Sequence, residues 1–274
     1  MTGRALPAVV PATEGHLLGG RVRYTQPRDG FRSGIEPIFL AAAIPAHAGE
    51  VVLEGGTGAG AALLCLAARV PGLGGVGVEL DSALAAMARA NALANGQDGL
   101  RFVAGDITTL HLADAPHGGF DHAFANPPYH APGGTPSPAA ERERAKRGSA
   151  CMLDAWATAL AGHVRQRGTL TFILPASMLG ACLAAMSAAG CAPSAALPLW
   201  PRAGRRAKLV LVQGIKGGRS PMCLLSGIVL HQDPTHRNDG GFTPAAEAIL
   251  RGGAALPMGA SPRTDRRRPE RAQA

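Results

Sequence analysis

The chain has 274 residues, 46% of them hydrophobic, and a net charge of +8 carried by 24 Arg against 3 Lys. That is enough apolar material for one large domain and excludes a disordered or fibrous chain. No apolar run reaches the ~20 residues of a membrane-spanning helix. The N-terminal MTGRALPAVVPATEG also lacks the charged-then-apolar order of a signal peptide, so a soluble cytoplasmic protein is expected.

Residues 1–20 carry Gly and Pro without periodicity and are expected to form a flexible arm. A main domain over 21–231 and an extension over 232–274 are expected to follow. IFLAAAI (38–44) reads as a helix, VVLEGG (51–56) as a buried strand and GAALLCLAARV (60–70) as a helix. GGVGVEL (74–80) is a second strand, and SALAAMARANALANG (82–96) is a helix stopped by Asn-Gly. RFVAGD (101–106) and DHAFANPP (121–128) are further strands, WATALAGHVRQRG (156–168) a helix, TLTFILP (169–175) a strand and MLGACLAAMSAAG (178–190) a helix. ALPLWPR (196–202) and KLVLVQGIKGG (208–218) follow with no room for a helix between them, which suggests an antiparallel hairpin. Residues 131–150 and 232–274 read as irregular, and the last stretch, SPRTDRRRPERAQA, as disordered.

Strands alternating with helices of this length predict an α/β fold with a doubly wound, mostly parallel sheet closed by that C-terminal hairpin. The five cysteines (Cys65, Cys151, Cys182, Cys191, Cys223) form no CxxC pair and are odd in number. They read as small buried apolar residues in a reducing compartment, and no metal site is expected. The basic excess favours a polyanionic partner such as nucleic acid.

Glu54-Gly55-Gly56-Thr57-Gly58-Ala59-Gly60 is an E-x-G-x-G-x-G loop between the first strand of the alternating series and its helix. Glycines there permit a tight turn and close approach of a ligand. The dinucleotide fingerprint fails because its third glycine would fall at Ala61, and no lysine completes a P-loop. The loop resembles that of the class I S-adenosylmethionine-dependent methyltransferases, in which an acid precedes the glycines. The cofactor's sulfonium and ammonium suit a carboxylate there. Glu79, at the end of the second strand, and Asp106, at the end of the third, stand where such folds contact the ribose and the adenine. The resemblance implies cofactor contacts from Gly34, Glu54, Gly56, Gly58, Gly60, Glu79, Leu80, Asp106, Ile107 and Asn126.

Two prolines after an apolar run, in FANPPYH (124–130), end the fourth strand of that series on the same edge. Asn126-Pro127-Pro128-Tyr129 resembles the (N/D)-P-P-(Y/F) motif of methyltransferases acting on nitrogen conjugated to a planar system. In that chemistry the Asn126 oxygen and the Pro127 carbonyl accept the two N–H bonds, the prolines fix the backbone, and Tyr129 stacks on the target. Orientation and in-line proximity supply most of the catalysis. His130 needs no role as a base, and Trp156 and Trp200 read as core or rim residues.

The chain has no room for the sizeable recognition domain usual in DNA adenine methyltransferases. It also shows no helical domain of the release-factor glutamine methyltransferase kind before the glycine loop. Gly30-Phe31-Arg32-Ser33-Gly34-Ile35-Glu36 resembles the G-[FY]-R-x-G-x-[DE] lead-in of the bacterial tRNA adenine-N6 methyltransferases that modify the base beside the anticodon of a valine tRNA. The resemblance runs on through VELD, NPPY, the basic run before LDAW, and PRAGRRAKLVLVQG, over roughly residues 17–231. It departs at Glu36 and Glu54, where aspartate is usual, and at Gly148-Ser149, where an acid often stands. It implies N6-methylation of an adenine in tRNA by a monomer or weak dimer, with RNA contacts from Arg32, Arg144, Lys146, Arg147, Arg205 and Arg206. An unpaired anticodon-loop base splays out cheaply, so flipping need not break a duplex. Glutamine N5-methylation of a protein, another RNA base amino-methylation, and a noncatalytic RNA-binding role stay open as alternatives.

Overall fold

The computed structural model describes residues 11–28, 34–112, 115–128, 139–232 and 241–259, with the side chains of 139–150 outside the description. The first described segment is a hairpin: β1 (Ala12–Leu17) pairs antiparallel with β2 (Val22–Pro27) across a turn at Leu18–Gly20. The flexible-arm expectation for 1–20 therefore fails from Ala12 onward, because Leu18, Val22 and Tyr24 are buried against the core.

The helix α1 (Glu36–Ala43) follows, then β3 (Val51–Gly55), α2 (Ala61–Arg69), β4 (Gly74–Glu79), α3 (Ser82–Ala94) and β5 (Leu100–Ala104). Next come β6 (Phe120–Ala125), α4 (Ala139–His163), β7 (Val164–Pro175), α5 (Leu179–Ala188), β8 (Cys191–Trp200) and β9 (Leu209–Lys216). Two short strands, β10 (Cys223–Leu224) and β11 (Ile228–Val229), and α6 (Pro244–Leu250) complete the described chain.

Among the described residues one sheet takes nine strands in the order β10-β8-β9-β7-β6-β3-β4-β5, with β11 also on β8. Strands β7, β6, β3, β4 and β5 run parallel, and β9 lies antiparallel between β7 and β8. This is the expected doubly wound sheet with its C-terminal antiparallel hairpin. Alternate residues face opposite layers: Val52, Phe124, Ile173 and Leu211 join α1, α2, α3 and α6, while Leu53, Phe172, Leu174 and Val212 join α4 and α5. A central sheet covered on both faces explains why its strands read as apolar runs without strict alternation.

Three boundaries differ from the expectation. Residues 139–150 are helical, since Ala, Glu, Arg and Lys are good helix formers even without an apolar face. The helix then stops at His163, not Gly168, where the Lys216 ammonium donates to the Ala161 carbonyl of its last turn (2.6 Å) and to the Val164 carbonyl at the start of β7 (2.8 Å). Arg167, at φ +67°, and Gly168, whose added Cβ would lie 2.5 Å from the Asp121 carbonyl, instead shape a bulge between β6 and β7. Finally, the extension is not irregular throughout: α6 forms, and Ile249, Leu250, Leu256 and Met258 are buried in the core. Cys65, Cys182 and Cys191 are buried as expected, whereas Cys151 and Cys223 are exposed. No helix among the described residues is long and apolar enough to cross a membrane.

Candidate active site

The register aligns four strand ends. Gly55 pairs with Ala125 on one side and Val78 on the other, and Glu79 pairs with Ala104. The chain winds from β3 through β4 to β5 in one direction and from β6 to β7 in the other. A crevice opens between the loops after β3 and β6, as it does wherever the winding of an open α/β sheet reverses. That crevice is a cavity of about 1060 Å³.

The glycine loop forms its floor. Gly56 and Gly58 have φ of +64° and +57°, a region that side chains bearing Cβ disfavour. An added Cβ at Gly58 meets nothing within 4 Å, so this backbone faces open space and admits a ligand. At Gly56 that position is already taken by Trp156, whose Cη2 stands 2.6 Å from it. Gly60, at the N-cap of α2, presses instead on the Phe102 ring and on Ala88 at 3.2–3.3 Å.

Five carboxylates line the cavity: Glu36, Glu54, Glu79, Asp81 and Asp106. No Lys, Arg or His is among the described lining residues. Glu54 is buried and accepts from the Thr57 hydroxyl at 2.6 Å and the Leu63 N–H at 3.2 Å, which caps the first turn of α2. Burial pushes its carboxyl up to about 8, although both hydrogen bonds pull the other way. Glu79 accepts from the Gly58 N–H (2.8 Å) with one oxygen and the Asp81 N–H (3.0 Å) with the other. Asp106 is exposed and accepts from the Thr108 hydroxyl (2.7 Å) and N–H (2.8 Å), which hold it below the usual carboxylate range. Between these acids Leu80 leaves 73% of its surface exposed, an apolar face beside a polar strand end. Anionic groups around an open glycine backbone, with an apolar shelf beside them, fit a cationic nucleoside and oppose an anionic one.

On the other side of the glycine loop, Asn126, Pro127 and Pro128 line the same cavity. Among the described residues the Asn126 side chain has no hydrogen-bond partner, so its amide is free for a ligand. Met152, Ala155 and Trp156 lie one turn apart on α4 and face them, and Tyr24, Gln26 and Pro27 of β2 contribute a further wall.

The structure thus brings together Glu54, Gly56, Gly58, Glu79, Leu80, Asp106, Ile107, Asn126, Pro127 and Pro128. Gly34 is exposed beside the Glu36 carboxylate but outside the lining, and Gly60 serves packing, so neither faces the cavity. Arg205 and Arg206 are exposed in the turn between β8 and β9, which ends beside the end of β7, where the Ala176 N–H donates to the Lys208 carbonyl at 2.8 Å. Tyr129, His130 and Arg32 lie outside the described residues, and Arg144, Lys146 and Arg147 lie on the first half of α4. Sequence reasoning missed Tyr24, Thr57 and Trp156 as lining residues. Only Thr57, inside the glycine loop, carried a local signal.

No family model matches the chain. A release factor glutamine methyltransferase of Chlorobaculum tepidum is 38% identical over 79 residues, 28% of this chain and 27% of that protein. A predicted O-methyltransferase of Agrobacterium tumefaciens superposes with a TM-score of 0.66 over 82% of this chain and 100% of its own, at 21% identity. The fold is that of the class I methyltransferases. A methyltransferase of Pyrococcus furiosus, at 20% identity, gives a TM-score of 0.51 over 72% of this chain and 90% of its own.

Proposed function

We propose that the chain transfers a methyl group from S-adenosylmethionine to the exocyclic N6 of an adenine in tRNA, beside the anticodon. The observation that carries the reading is the Asn126 amide. It is unpartnered among the described residues, it opens the Asn-Pro-Pro turn at the end of β6, and it shares a cavity with the glycine loop. The cofactor, when bound, supplies a methyl group activated by a positive sulfur.

The chain's own residues supply the rest. Gly58 offers open backbone, Glu79 and Asp106 offer acceptors for hydroxyl and amine groups, and Leu80 offers an apolar face to a flat base. The Asn126 Oδ1 and the Pro127 carbonyl accept the two N–H bonds of the target amine. That draws its lone pair out of conjugation and aims it at the methyl carbon. As the N–C bond forms the S–C bond breaks, and the new ammonium sheds its proton to solvent without needing a strong base. Proline at 127 and 128 leaves the turn with no N–H of its own to compete. The acidic floor accepts the neutral base, while the exposed Arg205 and Arg206 at the neighbouring turn suit the phosphates that carry it.

A second reading is glutamine N5-methylation of a release factor, an amide with the same conjugated nitrogen. The 79-residue similarity to the Chlorobaculum tepidum enzyme favours it. The two part when labelled S-adenosylmethionine is offered with bulk tRNA, DNA and release factor in parallel. Methyladenosine in digested tRNA supports the first reading; label confined to protein overturns it.

A further inference from the structure

The strand β2 exposes its outer edge to no other strand, yet that edge is hydrogen-bonded in full register by two side chains. The Asn95 Oδ1 accepts from the Arg23 N–H at 2.8 Å and its Nδ2 donates to the Arg23 carbonyl at 2.7 Å. Two residues on, the Asn91 Oδ1 accepts from the Thr25 N–H at 3.0 Å and its Nδ2 donates to the Thr25 carbonyl at 2.8 Å. Four residues of α3 advance about 6 Å, and two strand residues advance about 6.8 Å. A pair of amides spaced i, i+4 on the helix therefore imitates a neighbouring strand.

Asn91 does one thing that Asn95 does not. Its second Nδ2 hydrogen reaches the Ala59 carbonyl inside the glycine loop, at 2.9 Å. The residue is buried, and every polar hydrogen of its side chain is in use. One amide thus holds both the cavity's floor and the strand that carries its wall, Tyr24, Gln26 and Pro27.

We infer that Asn91 is a positioning residue that couples the N-terminal hairpin to the cofactor loop, so that occupancy of the loop stiffens the hairpin wall. The inference rests on the cofactor reading above. It needs no contact between Asn91 and the cofactor: a ligand that fixes Ala59 fixes one of the bonds anchoring Thr25, and the hairpin then opens less often.

The test uses the full chain with S-adenosylhomocysteine as the probe, and calorimetry together with peptide-level hydrogen exchange over residues 22–27. In the wild type, the probe should slow exchange of that peptide. Asn91→Ala should weaken binding roughly tenfold, the scale of losing buried hydrogen bonds, and abolish the ligand-dependent slowing. Asn95→Ala removes the same kind of strand contact without the loop bond. It should speed exchange of the hairpin yet leave affinity within about twofold, because the loop keeps its anchor. Should Asn91→Ala fail to fold, Asn91→Ser leaves a smaller neutral polar side chain that cannot reach both Thr25 and Ala59, and the same two losses are expected of it.

Wild-type protein that does not bind the probe overturns the cofactor reading itself. Binding with no change in hairpin exchange overturns the coupling alone. Equal loss of affinity in the Asn91 and Asn95 variants also overturns it, leaving a merely structural role for both.

Discussion

Trp156 fills the space that a side chain on Gly56 would need, with its Cη2 2.6 Å from the position of an added Cβ. A residue of α4 thus closes against a loop a hundred positions earlier, and one indole lines the cavity that the glycine loop and the Asn-Pro-Pro turn share. Replacing Gly56 with Ala forces two changes at once. The φ of +64° becomes unfavourable by about 1–2 kcal/mol, and the ring must move. Gly56→Ala should lower the melting temperature and weaken cofactor binding more than tenfold, while Gly56→Ala with Trp156→Leu should recover part of the loss. A single variant that binds within twofold of the wild type would show that the ring yields freely.

Asn126→Ala should reduce kcat by about a hundredfold to a thousandfold, the scale seen when one transition-state hydrogen-bonding group is removed. Cofactor affinity should change only a few-fold, since the residue faces the acceptor side. Single-turnover kinetics with equilibrium binding separates the two, and near-normal turnover would remove Asn126 from the chemistry.

The buried Glu54 makes cofactor binding depend on pH. Below about 8 its carboxyl is protonated in the empty site, and a bound cation favours the charged form. Binding near pH 7 should therefore release a proton, and affinity should climb from pH 6 towards 8 before levelling. The stability of the empty protein should run the other way. A carboxyl raised from 4.5 to about 8 on folding withdraws its contribution as the pH rises across that window. Calorimetry in buffers of different ionisation enthalpy checks the proton, and Glu54→Gln should flatten both profiles.

If the exposed arginines of the β8–β9 turn hold phosphates, tRNA affinity should fall steeply with salt. Arg205→Gln with Arg206→Gln should make the logarithmic slope shallower by roughly 1 to 2. Cofactor affinity serves as the control and should not move. A slope unchanged in the double variant would place the RNA elsewhere.

How much of this was legible depended on distance along the chain. The glycine loop, Glu79, Asp106 and the Asn-Pro-Pro turn were readable because each ends a strand, and strand ends share one edge in a doubly wound sheet. The hairpin was not, because what satisfies the edge of β2 is a pair of asparagines some seventy residues later, a partnership with no local pattern. The first turns of α4 were hidden by a charged run without apolar periodicity, and Trp156 gave no sign of its glycine. Gly60, in the same loop motif, has a role the motif does not announce: it leaves room for Phe102 and Ala88.

The meeting of the chain's early and late segments bears on the order in which the molecule can be made. The turn at Leu18–Gly20 rests on Arg251, whose carbonyl accepts from Arg21, and the Leu256 N–H donates to the Ala42 carbonyl of α1. During synthesis the sheet from β3 to β7 can assemble while those late residues are still inside the ribosome. The seat for the first hairpin is complete only when they emerge. Tyr24 belongs to that hairpin, so this wall of the cavity has its full support only once residues 251–256 are in place. Until then Asn91 and Asn95 hold β2 without that second support.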